Sequence, residues 1–503
     1  MSTLFVEDYG AKGDGITNDR DAISKAIDAL KEAPEGSSLV FEKDKTYYCG
    51  SEDAGIWMVG IKDRTVKGDN TTITVDAPSK FFEVVHCENF ILQGFNYTYR
   101  KKPFAFSVSV EEIDPENLTA VMTLDRSLEI SDTYVAPTVE FFSLVARPDG
   151  RYHMSISTIE VVDEKAFKYK FTFNKTFVEI EKRIGMLPEF GMIVPMPHVG
   201  HLVELACTSL CNKNVSFKDS NLYSSCKFMF FLRGNEETVV FDNFNVLPDT
   251  KDNPNNTLIA SWRDGFHCKE NRAKLIWKNC NLSGMFDDVF NISCSMLRVH
   301  KTEGEGKNQK ISFRWPETNG PYGFICVGDE ISFYHREAGR FYGKGKVVWV
   351  EGDTVMLDRE IKDLQPEFQA CVNTLAAPYS EVINCNIQGT IRFRTPVIVK
   401  DCNIHCNRMW LAFERDGFEG PLAENQLFEN CNFTFDSDSE PFIEIYSGNP
   451  MKDEVVSGKL SENDIYRIKN IVFKNCRLDE NAVTVGDVDA LFEDSVRFIG
   501  CTK

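Results

Sequence analysis

Val215-Ser216-Phe217-Lys218-Asp219-Ser220-Asn221-Leu222 returns as Val239-Val240-Phe241-Asp242-Asn243-Phe244-Asn245-Val246, and again as Leu275-Ile276-Trp277-Lys278-Asn279-Cys280-Asn281-Leu282. The shared phrase alternates apolar and mostly polar residues, then places Asn or Asp, a small or apolar residue, Asn, and an apolar residue. Later copies centre on Cys385, Cys402, Cys431 and Cys476, each preceded by Asn or Asp. A short alternating strand followed by a fixed bend, recurring at roughly 17–45 residues, is the signature of a parallel β-helix. Each turn turns apolar residues inward, and stacking the turns buries one continuous core. Cysteine is small and apolar enough to stack on the cysteine above it. The Asn or Asp beside it is placed to hydrogen-bond backbone at the bend. The fold class predicted is all-β: a right-handed parallel β-helix.

Upstream, Phe5-Val6-Glu7-Asp8-Tyr9-Gly10-Ala11-Lys12-Gly13-Asp14-Gly15 reads as a strand entering a Gly/Asp-rich turn. Asn18 or Asp19 then caps a helix whose Ile23, Ala26, Ile27 and Leu30 recur at helical spacing. Such a helix covers the open end of a β structure, whose bare strand edges invite aggregation.

Two stretches break the phrase. Residues 104–195 alternate strongly, as in Phe167-Lys168-Tyr169-Lys170-Phe171-Thr172-Phe173, and residues 298–377 look similar, with Ile331-Ser332-Phe333 and the apolar run Val347-Val348-Trp349-Val350. That period belongs to antiparallel strands with one wet face. The expected organisation is 1–103, N-terminal cap and first turns; 104–195, an inserted antiparallel β-barrel or sandwich; 196–297, the central β-helix; 298–377, a second such insertion; and 378–503, the last turns. The insertions either wall a binding groove or mediate assembly into a homo-oligomer.

The 503 residues carry a net charge of −20 and 16 cysteines. The acidic field disfavours nucleic acid, anionic membranes and polyanionic substrates, and leaves neutral sugars unpenalised. The first residues have neither a basic nor an apolar segment of the secretory kind. A cytoplasmic location and reduced, buried thiols are therefore expected. Cys402, His405 and Cys406 lie close together, but no C-x2-C pair accompanies them, so no metal is expected there. No cofactor is expected either, since the chain has neither a dinucleotide-binding glycine fingerprint nor a P-loop.

The chemistry is placed in Ser261-Trp262-Arg263-Asp264-Gly265-Phe266-His267-Cys268 and in Gly284-Met285-Phe286-Asp287-Asp288-Val289-Phe290-Asn291. Asp264 and Asp287 are about one turn apart, which sets them on adjacent turns about 4.8 Å apart in backbone. Three carboxylates this close repel, so at least one holds a proton near neutral pH. A carboxylic acid beside a carboxylate is what glycoside hydrolysis requires. A structural or calcium-binding aspartate cluster has the same spacing.

Asp8-Tyr9-Gly10-Ala11-Lys12-Gly13-Asp14-Gly15 with Asn18-Asp19 resembles the opening motif of pectin-lyase-like β-helix enzymes. Asp264-Gly265 followed by Asp287-Asp288 is similar to the polygalacturonase layout. It is closer still to glycoside hydrolase family 110, exo-acting α-galactosidases that release terminal α-1,3-linked galactose with inversion. The Asp-Gly-Phe-His phrase, the double Asp, the β-rich insertion after it, Arg392-Phe393-Arg394-Thr395-Pro396 and Phe418-Glu419-Gly420-Pro421 all resemble that family. The resemblance implies that Asp264, Asp287 and Asp288 are the catalytic acid and base, individually unassigned. There are departures. Asn291-Ile292-Ser293-Cys294 stands where the family has Asn-Val-His-Gly, Gly389-Thr390 replaces an Arg-Gly, and the Gly-His-Gly of polygalacturonases is missing. These leave the exact sugar and linkage open.

Arg263 and His267 flank Asp264 and are candidates to bind hydroxyls or tune a carboxyl. Arg392 and Arg394 alternate on one strand and so share a face. Trp410, Glu414 and Glu419 are of the types that stack on and hydrogen-bond sugars. The partner expected is an oligosaccharide or glycan substrate. A polygalacturonase or lyase acting on acidic polysaccharide, and a non-catalytic glycan-binding or tailspike-like β-helix, are the alternatives.

Overall fold

The chain alternates between two long parallel sheets, and several circuits add one strand to one sheet and two short strands, either side of the bend, to the other. This computed structural model describes residues 1–502 apart from 51–52, 77–78, 101–103, 115, 125–142, 148–149, 155, 174–190, 196–204, 224, 226–227, 250–259, 262, 286, 315–324, 336–338, 406–408, 413–418, 422, 435–442, 447–453, 455–456, 466–467, 479–482 and 485–495. One sheet runs in chain order through Ala54–Val59, Lys80–Val85, Leu205–Leu210, Phe228–Arg233, Phe266–Lys269, Asp288–Ser295, Thr390–Phe393, Met409–Ala412, Ile443–Tyr446 and Val483–Thr484. Every neighbouring pair in it is parallel. The parallel β-helix read from the repeated phrase is the architecture observed.

Register explains the phrase. Phe217 pairs with Phe241 and Phe241 with Trp277, and their rings stack at 5.1 and 5.5 Å. Across the core, Phe230, Phe266 and Phe290 stack at 6.0 and 5.7 Å. Burying each such ring contributes on the order of 2–3 kcal/mol. The residue before each ladder cysteine (Asn279, Asn384, Asp401, Asn430 and Asn475) has φ between 52° and 56°. Asn and Asp tolerate that left-handed bend better than other side chains. The cysteines that follow, Cys280, Cys385, Cys402, Cys431 and Cys476, are buried and unbridged.

The asparagine amides differ from the expectation. Most bond one another rather than backbone. Before the cysteines, Asn279 Nδ2 donates to Asp242 at 2.9 Å, Asn384 to Asn279 at 2.8 Å and Asn430 to Asp401 at 3.1 Å; after the bend, Asn221 donates to Asn96, Asn245 to Asn221, Asn281 to Asn245, Asn386 to Asn281 and Asn403 to Asn386, at 2.7–3.1 Å. Each amide has a donor and an acceptor end, so a column of them satisfies itself turn after turn.

The helix Arg20–Glu32 buries Ile23, Ala26, Ile27 and Leu30 against the first turns. Asp19 holds its N-cap position but makes no side-chain cap bond. Its carboxylate turns back to accept from Lys12 N at 2.7 Å and Gly13 N at 3.0 Å, fixing the Gly/Asp-rich turn. Asn18 Oδ1 accepts from Arg20 N instead.

Two excursions leave the solenoid. Between Glu88–Tyr99 and Leu205–Leu210 lies an antiparallel sheet of seven described strands. Between Asp288–Ser295 and Ser380–Ile383 lies a closed six-stranded antiparallel barrel from Leu297–Glu303 to Gln369–Val372. Leu275 pairs directly with Ser380, so the barrel leaves no gap in the ladder. Cys294 Sγ lies 3.0 Å from Cys371 Sγ, bringing the last barrel strand onto the strand that begins at Asp288.

Candidate active site

The strands Phe228–Arg233, Phe266–Lys269, Asp288–Ser295 and Thr390–Phe393 lie side by side. Their register sets Phe231, His267, Asn291 and Arg392 in one column. Phe230, Phe266, Phe290 and Ile391 form the adjoining column that faces the core. One turn here is 24 residues, since Phe266 pairs with Phe290. Asp264 is therefore level with Asp288, and Asp287 precedes that level by one residue; the sequence reading had paired Asp264 with Asp287. Gly265 N donates to the Asp288 carbonyl at 2.9 Å, and Met229 N to the Asp264 carbonyl at 2.9 Å. Gly265 permits this approach: a Cβ there would lie 2.9 Å from Val289 O and 3.1 Å from Met285 Cγ.

One carboxylate oxygen from each of Asp264, Asp287 and Asp288 falls within 4.8 Å of the others. Each has its own partner. Asp264 Oδ2 meets His267 Nδ1 at 2.5 Å, Asp287 Oδ2 accepts from Arg263 at 2.8 Å, and Asp288 Oδ2 lies 3.0 Å from Arg392 Nε. Asp264 and Asp288 are each 2% exposed, whereas the Asp287 side chain is about one third exposed. Asp288 Oδ1 is buried without a hydrogen-bond partner.

Burial pushes the Asp264 carboxyl well above the usual range, with the charges of Asp287 and Glu419 adding to it. Burial does the same to Asp288, with Asp264 adding to it and Arg392 opposing. Burial, then the Lys269 charge, lowers His267 to about 3, so its imidazole is neutral at neutral pH. Phe231 stacks on that imidazole at 5.7 Å, and Phe228 packs at 4.7 Å. Two carboxyls whose burial favours the protonated form thus stand beside a third that is partly open to solvent, and unlike environments of this kind suit acid–base chemistry. The three aspartates also have the spacing of a cation site. Two of them, however, already face the guanidinium groups of Arg263 and Arg392, which supply the positive charge a metal would bring.

Glu419 stands on the short strand Glu419–Gly420, which runs antiparallel to Asp288–Ser295. Its carboxylate ion-pairs with Lys269 Nζ, lies 3.4 Å from Arg392, and accepts from Asn291 at 3.2 Å. Burial alone would raise this carboxyl, but Lys269 and Arg392 together pull it well below the carboxylate range.

Arg263, His267, Arg392 and Glu419 thus join the three aspartates. Arg394 does not. The strand ends at Phe393, so the alternation that would put residues 392 and 394 on one face stops there. Arg394 is fully buried and lines a separate cavity of about 340 Å³ with Glu330, Tyr334, Phe341 and Lys469, where the barrel meets the solenoid. Trp410 lies on Met409–Ala412 one turn beyond Arg392, its side chain outside the described residues, and Glu414 is itself outside them. Lys269, Asn291 and Ser293 escaped the sequence reading. Adding the 24-residue turn to His267 and Lys269 gives Asn291 and Ser293, the signal that would have found the last two.

No family model matches the chain. Alpha-1,3-galactosidase B of Bacteroides thetaiotaomicron is 22% identical over 343 residues, covering 59% of this chain and 51% of that protein. The match spans about half the length of that curated relative. Its name agrees with the activity of the family the sequence resembles. Among solved structures, an exopolygalacturonase from Thermotoga maritima covers 99% of this chain and 91% of its own at 12% identity, with a TM-score of 0.41. A tailspike of E. coli bacteriophage HK620 covers 99% and 65% at 8% identity, with a TM-score of 0.40. Likeness at this level is one of outline and decides nothing about chemistry.

Proposed function

We propose that the chain is a glycoside hydrolase that acts from the chain end and releases terminal α-linked galactose, α-1,3-linked above all. The observation that carries this reading is the meeting of Asp264, Asp287 and Asp288 within 4.8 Å, two of them buried with raised carboxyls. One carboxylic acid gives its proton to the glycosidic oxygen as the bond to the anomeric carbon breaks. One carboxylate takes a proton from the water that attacks that carbon. The proton lost by the acid is thereby restored to the trio, and galactose leaves.

The curated relative's name and the family resemblance support galactose and the α-1,3 linkage. Inversion comes from the resemblance alone. The approach of one oxygen from each aspartate to within 4.8 Å does not by itself favour inversion or retention. The test is a panel of aryl glycosides and α-1,3-galactosyl oligosaccharides followed by NMR. The proposal expects α-galactosides to be cleaved, with β-galactose as the first product. Turnover confined to other glycosides refutes the galactose assignment, and a first product of α-galactose refutes inversion.

A further inference from the structure

We infer that Glu419 is a specificity-determining residue that reserves this site for neutral sugars, its side chain occupying the position a carboxylated sugar would otherwise take. The inference rests on the glycoside hydrolase reading and deepens it.

The geometry begins with two cations on the wall of the site. Lys269 and Arg392 come from strands two turns apart in the stack, with Asn291 on the strand between them. Lys269 is 8% exposed, and its described side-chain partners are Ser293 Oγ and the Glu419 carboxylate. Arg392 spans from Asp288 at 3.0 Å to Glu419 at 3.4 Å. Asn291 Nδ2 approaches both Glu419 oxygens, at 3.2 and 3.4 Å. An ammonium, a guanidinium and an amide N–H₂ thus converge on one carboxylate, the arrangement that recognises such a group by charge-assisted hydrogen bonds.

That carboxylate belongs to the protein. It is delivered by a separate segment and shares the Arg392 guanidinium with Asp288. With Glu419 present, one of the two positive charges is matched and all three donors already face a carboxylate. A uronic acid brought to the same place meets a fixed negative charge where it needs a positive one, and like-charge juxtaposition is the stronger half of discrimination. A neutral ring meets hydrogen-bonding groups and no net repulsion. Removing the side chain leaves a carboxylate-sized space flanked by the same three donors.

The test is binding of galactose and galacturonate, by titration calorimetry, to the parent protein and to Glu419→Ala and Glu419→Gln. The parent is expected to bind galactose in strong preference. Glu419→Ala is expected to shift the galacturonate-to-galactose affinity ratio upward by about ten- to a hundredfold, the worth of a charge-assisted hydrogen bond. Adding Lys269→Met is expected to cancel most of that shift. Glu419→Gln keeps the shape and removes the charge, so a smaller shift of the same sign is expected. A folded Glu419→Ala protein with an unchanged ratio overturns the inference. So does a parent that binds galacturonate as tightly as galactose, whatever the variants do. A parent that neither binds nor cleaves any galactoside refutes instead the galactose assignment beneath it.

Discussion

Asp264 and His267 meet Oδ2 to Nδ1 at 2.5 Å, three residues apart on one strand entry, with Phe231 stacked on the imidazole. A neutral imidazole and a buried carboxyl at this distance hold one proton between them. His267 fixes the direction of the Asp264 carboxyl without needing to touch substrate. His267→Ala is expected to lower kcat by up to about a hundredfold, as misplacement of a reacting group does, with KM little changed. His267→Gln, which can still bond Asp264, is expected to recover part of the loss. Equal loss in both variants, with KM rising, would make His267 a substrate ligand instead.

The raised carboxyls carry a stability signature. Folding makes Asp264 and Asp288 harder to ionise than their ordinary value of 3.8. Between that value and the raised one, the folded chain holds more protons than the unfolded chain. Their contribution is complete below pH 3.8 and is lost as pH rises through the raised value. Asp264→Asn removes this cost and keeps a hydrogen-bonding group toward His267. It is expected to melt above the parent at pH 8, with the gap closing toward pH 4. His267 runs the opposite way. Its folded value of about 3 lies below the ordinary 6.5, so its contribution is present above 6.5 and lost as pH falls toward 3. A melting gap that widens toward acid pH would contradict the assignment to Asp264.

Gly265 lets two turns approach at the aspartates. Gly265→Ala puts a methyl against Val289 O and Met285, and overpacking of this kind costs roughly 1–3 kcal/mol. Denaturant melts are expected to show that loss, and the displacement of Asp264 from Asp288 is expected to reduce kcat. Wild-type stability and rate would show that the two turns have more room than the contact distances allow.

Arg263 and Arg392 stand against Asp287 and Asp288 where a divalent cation would need open oxygens. Turnover is therefore expected to be unchanged after exhaustive dialysis against a chelator. A loss restored by one added metal would assign the aspartates to a cation.

The solenoid was legible because its physics repeats. Inward Phe217, Phe241 and Trp277 and the left-handed Asn279 recur at the same place in each copy of the phrase, so each copy reinforces the others. Asp264, Asp287 and Asp288 were legible because one turn links them. Glu419 was named for its residue type, but its role was hidden: the contact between it and Lys269 joins segments 150 residues apart, and no period relates them. Arg394 misled because strand alternation was carried one residue past the strand's end at Phe393. The asparagine column misled in part because the sequence shows an amide's position but not which partner it chooses.

The most direct measurement is steady-state hydrolysis of an aryl α-galactoside by the parent and by Asp264→Asn, Asp287→Asn and Asp288→Asn, each checked for native circular dichroism. If the three carboxyls do the chemistry, the parent turns over and each folded variant loses about 10²–10⁴-fold in kcat. Parent-like turnover by Asp287→Asn and Asp288→Asn together would contradict it.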